Sequence, residues 1–232
     1  MNFAKRSYQK ELLDGENIPF PDIQKNMREL NTINTLLGGH AITVKGFSKL
    51  VGNRKRITVC EIGCGGGDNL AAIVKWAKAK EITVTCIGID LKAACILVAR
   101  EVAILAGHSK WITSDYAEVL FEEKPDIIFS SLFCHHFTEE ALIRQLQWMQ
   151  RNSQLGFFIN DLHRHWLAYY SIAILTKLFS SSYLVKNDAP LSVARGFQKN
   201  EWETLYNKAG IAQITVSWQW AFRHLLIYKH DG

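Results

Sequence analysis

The stretch VCEIGCGGGDN, residues 59–69, decides how the rest of the chain is read. A β-rich run (57–62) passes into alternate glycines, Gly63, Gly65 and Gly67, and an amphipathic segment begins at Asp68. Glycines in that position let the backbone turn tightly and approach a ligand at a helix N-terminus. A dinucleotide fingerprint would need glycine where Asp68 stands, and Glu61 lies just before the turn. Two acids would repel a pyrophosphate, whereas they suit a ligand that carries positive charge.

Outward from this loop, short β-rich runs alternate with segments of helical periodicity, the pattern of a parallel sheet covered on both faces. Strands are expected at 57–62, 82–89, about 110–114, 126–131 and 155–160, with helices at about 68–79, 92–106 and 138–150. The end of the chain breaks the rhythm. A helix over 200–209, with Asn200 and Glu203 as capping box and Gly210 as its stop, precedes two strands separated by Gln219 and Trp220. So short a link has no room for a crossover, so these strands pair antiparallel. The fold class is therefore α/β, a doubly wound sheet of five parallel strands plus a C-terminal antiparallel hairpin. Residues 1–50 form a helical preface, with Asp22 as N-cap, Ile23, Met27, Leu30 and Leu37 along one stripe, and Gly38 and Gly39 as terminators.

Asp90 ends the second strand, where a carboxylate can take both hydroxyls of a ribose. Glu61-x-Gly63-x-Gly65-x-Gly67, the Gly88-Ile89-Asp90 strand end, and Ser114-Asp115 after the third strand together resemble the class I S-adenosylmethionine-dependent methyltransferases. The resemblance covers residues 51–232, and the terminal hairpin matches that family's seven-stranded, Rossmann-like sheet. It implies that Glu61, Gly63, Gly65 and Gly67 surround the methionine part of the donor. Asp90 would hold the ribose, Leu91 would pack on the adenine and Asp115 would meet its amino group, with Ser114 and Ser131 completing the cofactor-binding set. The preface resembles that of a small-molecule methyltransferase subgroup whose N-terminal helices form a lid. This implies a lid over residues 1–50, with Asn34, Gly38, Gly39 and His40 as candidates to line it.

Methyl transfer from a sulfonium is an in-line displacement, so the protein must chiefly align the acceptor and, for a hydroxyl, remove its proton. Candidate groups lie at the carboxyl ends of the strands. SSLFCHHF (130–137) follows the fourth strand and NDLHRH (160–165) the fifth. His136, Asp161 and His163 are the candidate bases, although a histidine opposite the cofactor also serves simply to close such a site by hydrogen bonding. His40, His165 and Arg195 are candidates to bind the acceptor. Zinc on Asp161, His163 and His165 is sterically awkward within one helical turn, and no metal is assigned.

Nucleic-acid methyltransferases carry proline-containing motifs after the fourth strand, where this chain has Ser131-Leu132-Phe133-Cys134; metal-dependent catechol-type enzymes place an aspartate at that strand end. Neither pattern is present. WLAYYSIAILTKLF (166–179) is apolar nearly all round, which suits core packing first, and otherwise the wall of a greasy pocket or a partner contact. The stretch before it resembles methyltransferases of polyketide, phenolic-lipid and quinone-type pathways.

The chain has 232 residues, 48% of them hydrophobic, enough for a substantial core. A net charge of +5 without basic runs gives little ground for a nucleic-acid partner. Five cysteines without a CxxC pair, no signal-peptide start and no long apolar run lead to the expectation of a reduced, cytoplasmic protein without membrane insertion, compatible with a homodimer. The expected activity is transfer of a methyl group from S-adenosylmethionine to oxygen, or less readily carbon, of a hydrophobic small molecule. Two other readings compete: a nicotinamide-dependent reductase, and an S-adenosylmethionine-binding module without catalysis.

Overall fold

In the computed structural model, which describes residues 3–230, seven strands form one mixed sheet in the order β3-β2-β1-β4-β5-β7-β6. The strands are β1 (Arg56–Ile62), β2 (Thr83–Asp90), β3 (Ser109–Thr113), β4 (Ile127–Ser131), β5 (Gly156–Leu162), β6 (Thr215–Gln219) and β7 (Arg223–Lys229). β1 to β5 are mutually parallel, and β7 runs antiparallel to both β5 and β6. The order reverses between β1 and β4, so the crevice where ligands collect in such sheets opens beyond the glycine loop.

Eight helices surround the sheet: α1 (Phe20–Leu36), α2 (Gly39–Val51), α3 (Asp68–Lys78), α4 (Ala93–Arg100), α5 (Glu139–Asn152), α6 (Trp166–Phe179), α7 (Tyr183–Arg195) and α8 (Lys199–Lys208). Two apolar clusters hold the layers together. In one, Phe47, Leu50 and Val51 of α2 and Leu70 and Ile73 of α3 join Val59, Phe129 and Phe158 of the sheet. In the other, Leu142, Leu146 and Met149 of α5 and Trp202 and Leu205 of α8 meet Cys60, Ile128 and Phe157. The five cysteines are free and buried.

Several boundaries differ from the sequence expectation. The preface holds two helices, because Gly38, in the left-handed conformation, lets α2 start where α1 ends. α2 packs in the same apolar cluster as the sheet. At Gly46 an added Cβ would stand 2.5 Å from the Phe158 ring, so glycine is needed there for close packing. The helix expected over 92–106 stops at Arg100; Val102 turns extended and Leu105 is drawn into the core through a 3-10 turn. α8 starts earlier than expected: the capping box is Gln198 with Glu201, since Glu201 also pairs with Arg164 and anchors the first turn there. β5 continues through Leu162 by pairing with His224 and Arg223 of β7, so Asn160 and Asp161 are buried strand residues.

α6 is not a core helix. Only its Thr176 is buried, while Trp166, Tyr170, Ile174, Leu178 and Phe179 face outward. Its neighbour in the chain, α7, accommodates an internal Pro190. Among the described residues no helix is long and apolar enough to cross a membrane.

Candidate active site

A cavity of about 730 Å³ lies at the carboxyl ends of β1 to β4. Gly63, Gly65 and Gly66 form its floor, Asp90, Leu91 and Lys92 one wall, Ser114, Asp115 and Tyr116 the next, and Ser131, Phe133 and His136 the opposite one. Gly63 and Gly65 both have positive φ, as the tight turn requires, and a Cβ on Gly63 would strike the Phe133 ring at 2.2 Å. Gly67, also left-handed, starts α3 and sits against Trp111 instead of in the cavity.

The acids of the loop divide their work. Asp90 accepts from the backbone N–H groups of Gly65 (2.9 Å) and Lys92 (2.8 Å), which fixes its plane and leaves acceptor capacity for hydroxyls. Burial pushes its carboxyl above the usual range, against the pull of those two amides. Glu61 is completely buried behind the loop. Its Oε1 accepts from Asn69 (3.1 Å) and its Oε2 has no partner among the described residues. Burial, together with the charges of Asp68 and Asp90, raises its pKa. Asp68 is tied to the N-terminal helices: its Oδ2 accepts from Asn34 (3.1 Å) and lies 2.7 Å from His40 Nε2.

A second cavity of about 410 Å³ adjoins the first, and the two share Leu13, Leu30, Leu132 and His136. Its walls are mostly apolar, from Ile33 of α1 and Leu37 just after it, Ile172 and Leu175 of α6, Val185 and Val193 of α7, and Trp218, Trp220 and Phe222 of the hairpin. Leu132, at the junction, has φ of 53° and Phe222 has φ of 56°, conformations unfavourable for bulky side chains. Such strain is held in place only by surrounding structure and is concentrated at functional sites.

Two histidines mark the junction. His136 lines both cavities; its Nδ1 stands 3.0 Å from Asp14 Oδ1 and its Nε2 3.8 Å from Glu11 Oε2. His135 lines only the second cavity and is buried, with Nδ1 2.8 Å from Asp161 Oδ1 and Nε2 3.5 Å from Glu11 Oε1. Burial alone would lower the His135 pKa, but Asp161 and Glu11 outweigh it and raise the imidazole to about 9. Asp161 also accepts from the N–H groups of Phe133, Cys134 and Leu162 and is held below its usual pKa against the cost of burial, chiefly by His135. His135 is therefore an imidazolium at neutral pH. For His136, the tautomer that donates from Nδ1 to Asp14 leaves Nε2 as an acceptor.

The structure thus brings His136 to the cavities and keeps other candidate residues away from them. Asp161 lies behind His135. His163, its pKa lowered by burial, faces Gln198 (3.2 Å) and accepts from Trp218 Nε1 (3.2 Å). His165 caps α6 by accepting from the Leu167 N–H. Arg195 is buried and lines neither cavity; it donates to the carbonyls of His135 (3.1 Å) and Gln9 (3.0 Å) and to Asp14 (3.3 Å). His40 reaches Asp68, not an acceptor. Asp161, His163 and His165 do not converge. Glu11, His135 and His136 do bring three ligand-type atoms within 4.8 Å of one another, but Asp161, Asp14, Ser192 and Arg195 already partner them. Sequence reading missed Glu11 and Asp14. Adjacent His135 and His136 were visible, but no local signal links them to acids more than a hundred residues earlier.

Residues 59–154 match the family model described as a methyltransferase domain. Among solved structures, the chain is similar to the plantazolicin methyltransferase BpumL in complex with SAH (TM-score 0.66, 18% identity, 91% of this chain and 90% of that one). It is also similar to an S-adenosylmethionine-dependent methyltransferase from Aquifex aeolicus (TM-score 0.62, 16% identity, 89% and 97%). A third is the magnesium protoporphyrin IX methyltransferase ChlM from Synechocystis PCC 6803 (TM-score 0.53, 15% identity, 94% and 90%). No curated protein matches the chain. Fold, glycine loop and family match define a methyltransferase domain. Residues 59–154 match a methyltransferase domain, and the chain as a whole has the fold of these solved methyltransferases.

Proposed function

We propose that this chain is a class I, S-adenosylmethionine-dependent enzyme that transfers a methyl group to an oxygen of a hydrophobic small molecule of aromatic, polyketide, phenolic-lipid or quinone type. The observation that carries this reading is the pair of adjoining cavities, one floored by glycines and lined by acids, the other apolar, with His136 between them.

The residues of the first cavity suit the donor. Asp90 has lone pairs left for ribose hydroxyls, and Leu91 and Tyr116 offer apolar faces for a purine. Bound there, the donor supplies an activated methyl group. Everything else falls to the chain. The apolar second cavity excludes water from the acceptor, and Leu132 and Leu13 align it at the junction. His136 Nε2 takes the hydroxyl proton, while Asp14 holds the imidazole by Nδ1 and stabilises the imidazolium that results. His135, Glu11 and Asp161 fix the loop that carries His136. Residues ahead of Gly39, with Leu13, Asp14 and Leu30 in the cavity walls, act as the lid. Two of the similar structures are named for methyltransferases of plantazolicin and of magnesium protoporphyrin IX, which supports a small-molecule acceptor.

The test is an assay with methyl-labelled S-adenosylmethionine against a panel of alkylphenols and quinols. The reading expects labelled O-methyl product from at least one member. Label transferred to a nucleic acid or protein instead, or tight NADH binding in its place, would overturn it.

A further inference from the structure

Arg223 sits in the wall of the apolar cavity and is only 3% exposed. One of its nitrogens, Nη2, donates to Asn34 Oδ1 (2.9 Å); Nε and Nη1 have no hydrogen-bond partner among the described residues. Among the described residues the guanidinium makes no ion pair, and the acids whose charges act on it, Asp161 and Asp68, are engaged with His135 and with Asn34 and His40. Asn26 Nδ2, from another wall of the cavity, is likewise buried and unpartnered. Buried donors without acceptors are rare in native proteins, and a buried unpaired charge is rarer still.

The other charged groups facing this cavity are the His135 imidazolium, whose two nitrogens face Asp161 and Glu11, and acids whose oxygens are occupied. Asp188 accepts from the N–H groups of Leu12 and Leu13 and from Asn187. Glu11 accepts from Ser192 and faces His135. Away from His136 at the junction, the unused hydrogen-bonding capacity in the wall is therefore on the donor side, at Arg223 and Asn26.

We infer that the acceptor carries, besides its methylated oxygen, an anionic oxygen group of carboxylate or phenolate type that docks on Arg223, with Asn26 as a further donor. This rests on the second cavity being the acceptor site. Arg223 is a specificity-determining residue in this account, distant in sequence from every methyltransferase motif. It is supplied by β7, which pairs Arg223 with Leu162. A guanidinium presents its N–H groups as a planar fork that fits a carboxylate, and a site built for such bonds discriminates strongly against ligands lacking them.

The experiment is calorimetric titration of the SAH-loaded enzyme with 4-pentylbenzoate and with its neutral isostere 4-pentylbenzamide, neither of which has a hydroxyl to methylate. Wild type is expected to bind the benzoate at least about tenfold more tightly, as charge-assisted hydrogen bonds in a desolvated pocket allow. Arg223→Met should bring the two within about threefold of each other, and Arg223→Lys, which keeps charge but loses the fork, should fall between. Equal binding of both probes by wild type would overturn the inference and leave the acceptor cavity standing. If neither probe bound, the cavity itself would be misassigned and both readings would fall. The wild-type comparison needs no variant, so it decides the matter even if Arg223→Met fails to fold.

Discussion

The two cavities are built in different ways. The donor cavity is assembled from consecutive residues at strand ends, Gly63 to Gly66, Asp90 to Lys92, and Ser114 to Tyr116, each within a few positions of the strand that presents it. The acceptor cavity takes its walls from α1, α6, α7 and the hairpin, and its polar groups from Glu11, Asn26, His135, Asp188 and Arg223, which span most of the chain. Donor geometry is thus a local property of βα turns. Acceptor geometry depends on how distant elements pack, and there alone could it diverge without damage to the donor site.

Mutations can test that division. The largest effect is expected at the junction. His136→Ala should lower kcat by about 10²–10⁴-fold, the usual range for loss of a general acid or base, with the SAH dissociation constant unchanged by calorimetry; loss of donor binding as well would make His136 a donor ligand. Next, Asp161→Asn should cost about 3–5 kcal/mol of stability, because it strips a buried imidazolium of its main counter-charge. Urea unfolding measures this, and a change below about 1 kcal/mol would show that Asp161 and His135 are not a charged pair.

The same pair sets a pH dependence. The folded pKa of His135, near 9, lies above its ordinary value of 6.5, so its contribution to stability is complete below about pH 6.5 and fades as pH rises through 9. The depressed Asp161 and Glu11 act at the other end, losing their contribution as pH falls through their folded pKa values. Urea midpoints from pH 6 to 10 should decline in wild type and decline less in Asp161→Asn. At the donor end a smaller change is expected. Asp90→Asn should weaken SAH binding by about 10- to 100-fold, the scale of charge-assisted hydrogen bonds to the ribose, while leaving the Kd for 4-pentylbenzamide unchanged. A shift in both ligands would mean that the cavities are not independent.

The same contrast explains what could be read from sequence. The parallel strands, the terminal hairpin and the glycine loop were legible because each depends on local periodicity or on a turn's steric demand. α2 was not, because Gly38 and Gly39 look like a stop when they make a helix–helix corner, and Gly46 lowers helix propensity in order to pack on Phe158. Pro190 likewise obscured α7. At the site, His136 stood out as one of an adjacent pair after β4, but Asp14, which orients it, has only tertiary packing to bring it there. The apolar periodicity of 166–179 gave the helix but not its environment. A helix that is hydrophobic all round reads as buried, and only the packing of α7 on one side showed that the other faces outward.

A crystal structure of the ternary complex with SAH and a methylatable alkylphenol tests the central claim most directly. The account predicts the ribose on Asp90, the homocysteine sulfur facing the junction, and the phenol oxygen within hydrogen-bond reach of His136 Nε2 with its alkyl chain among Ile172, Leu175 and Trp218. A phenol bound elsewhere, or with its oxygen turned away from His136, would contradict it.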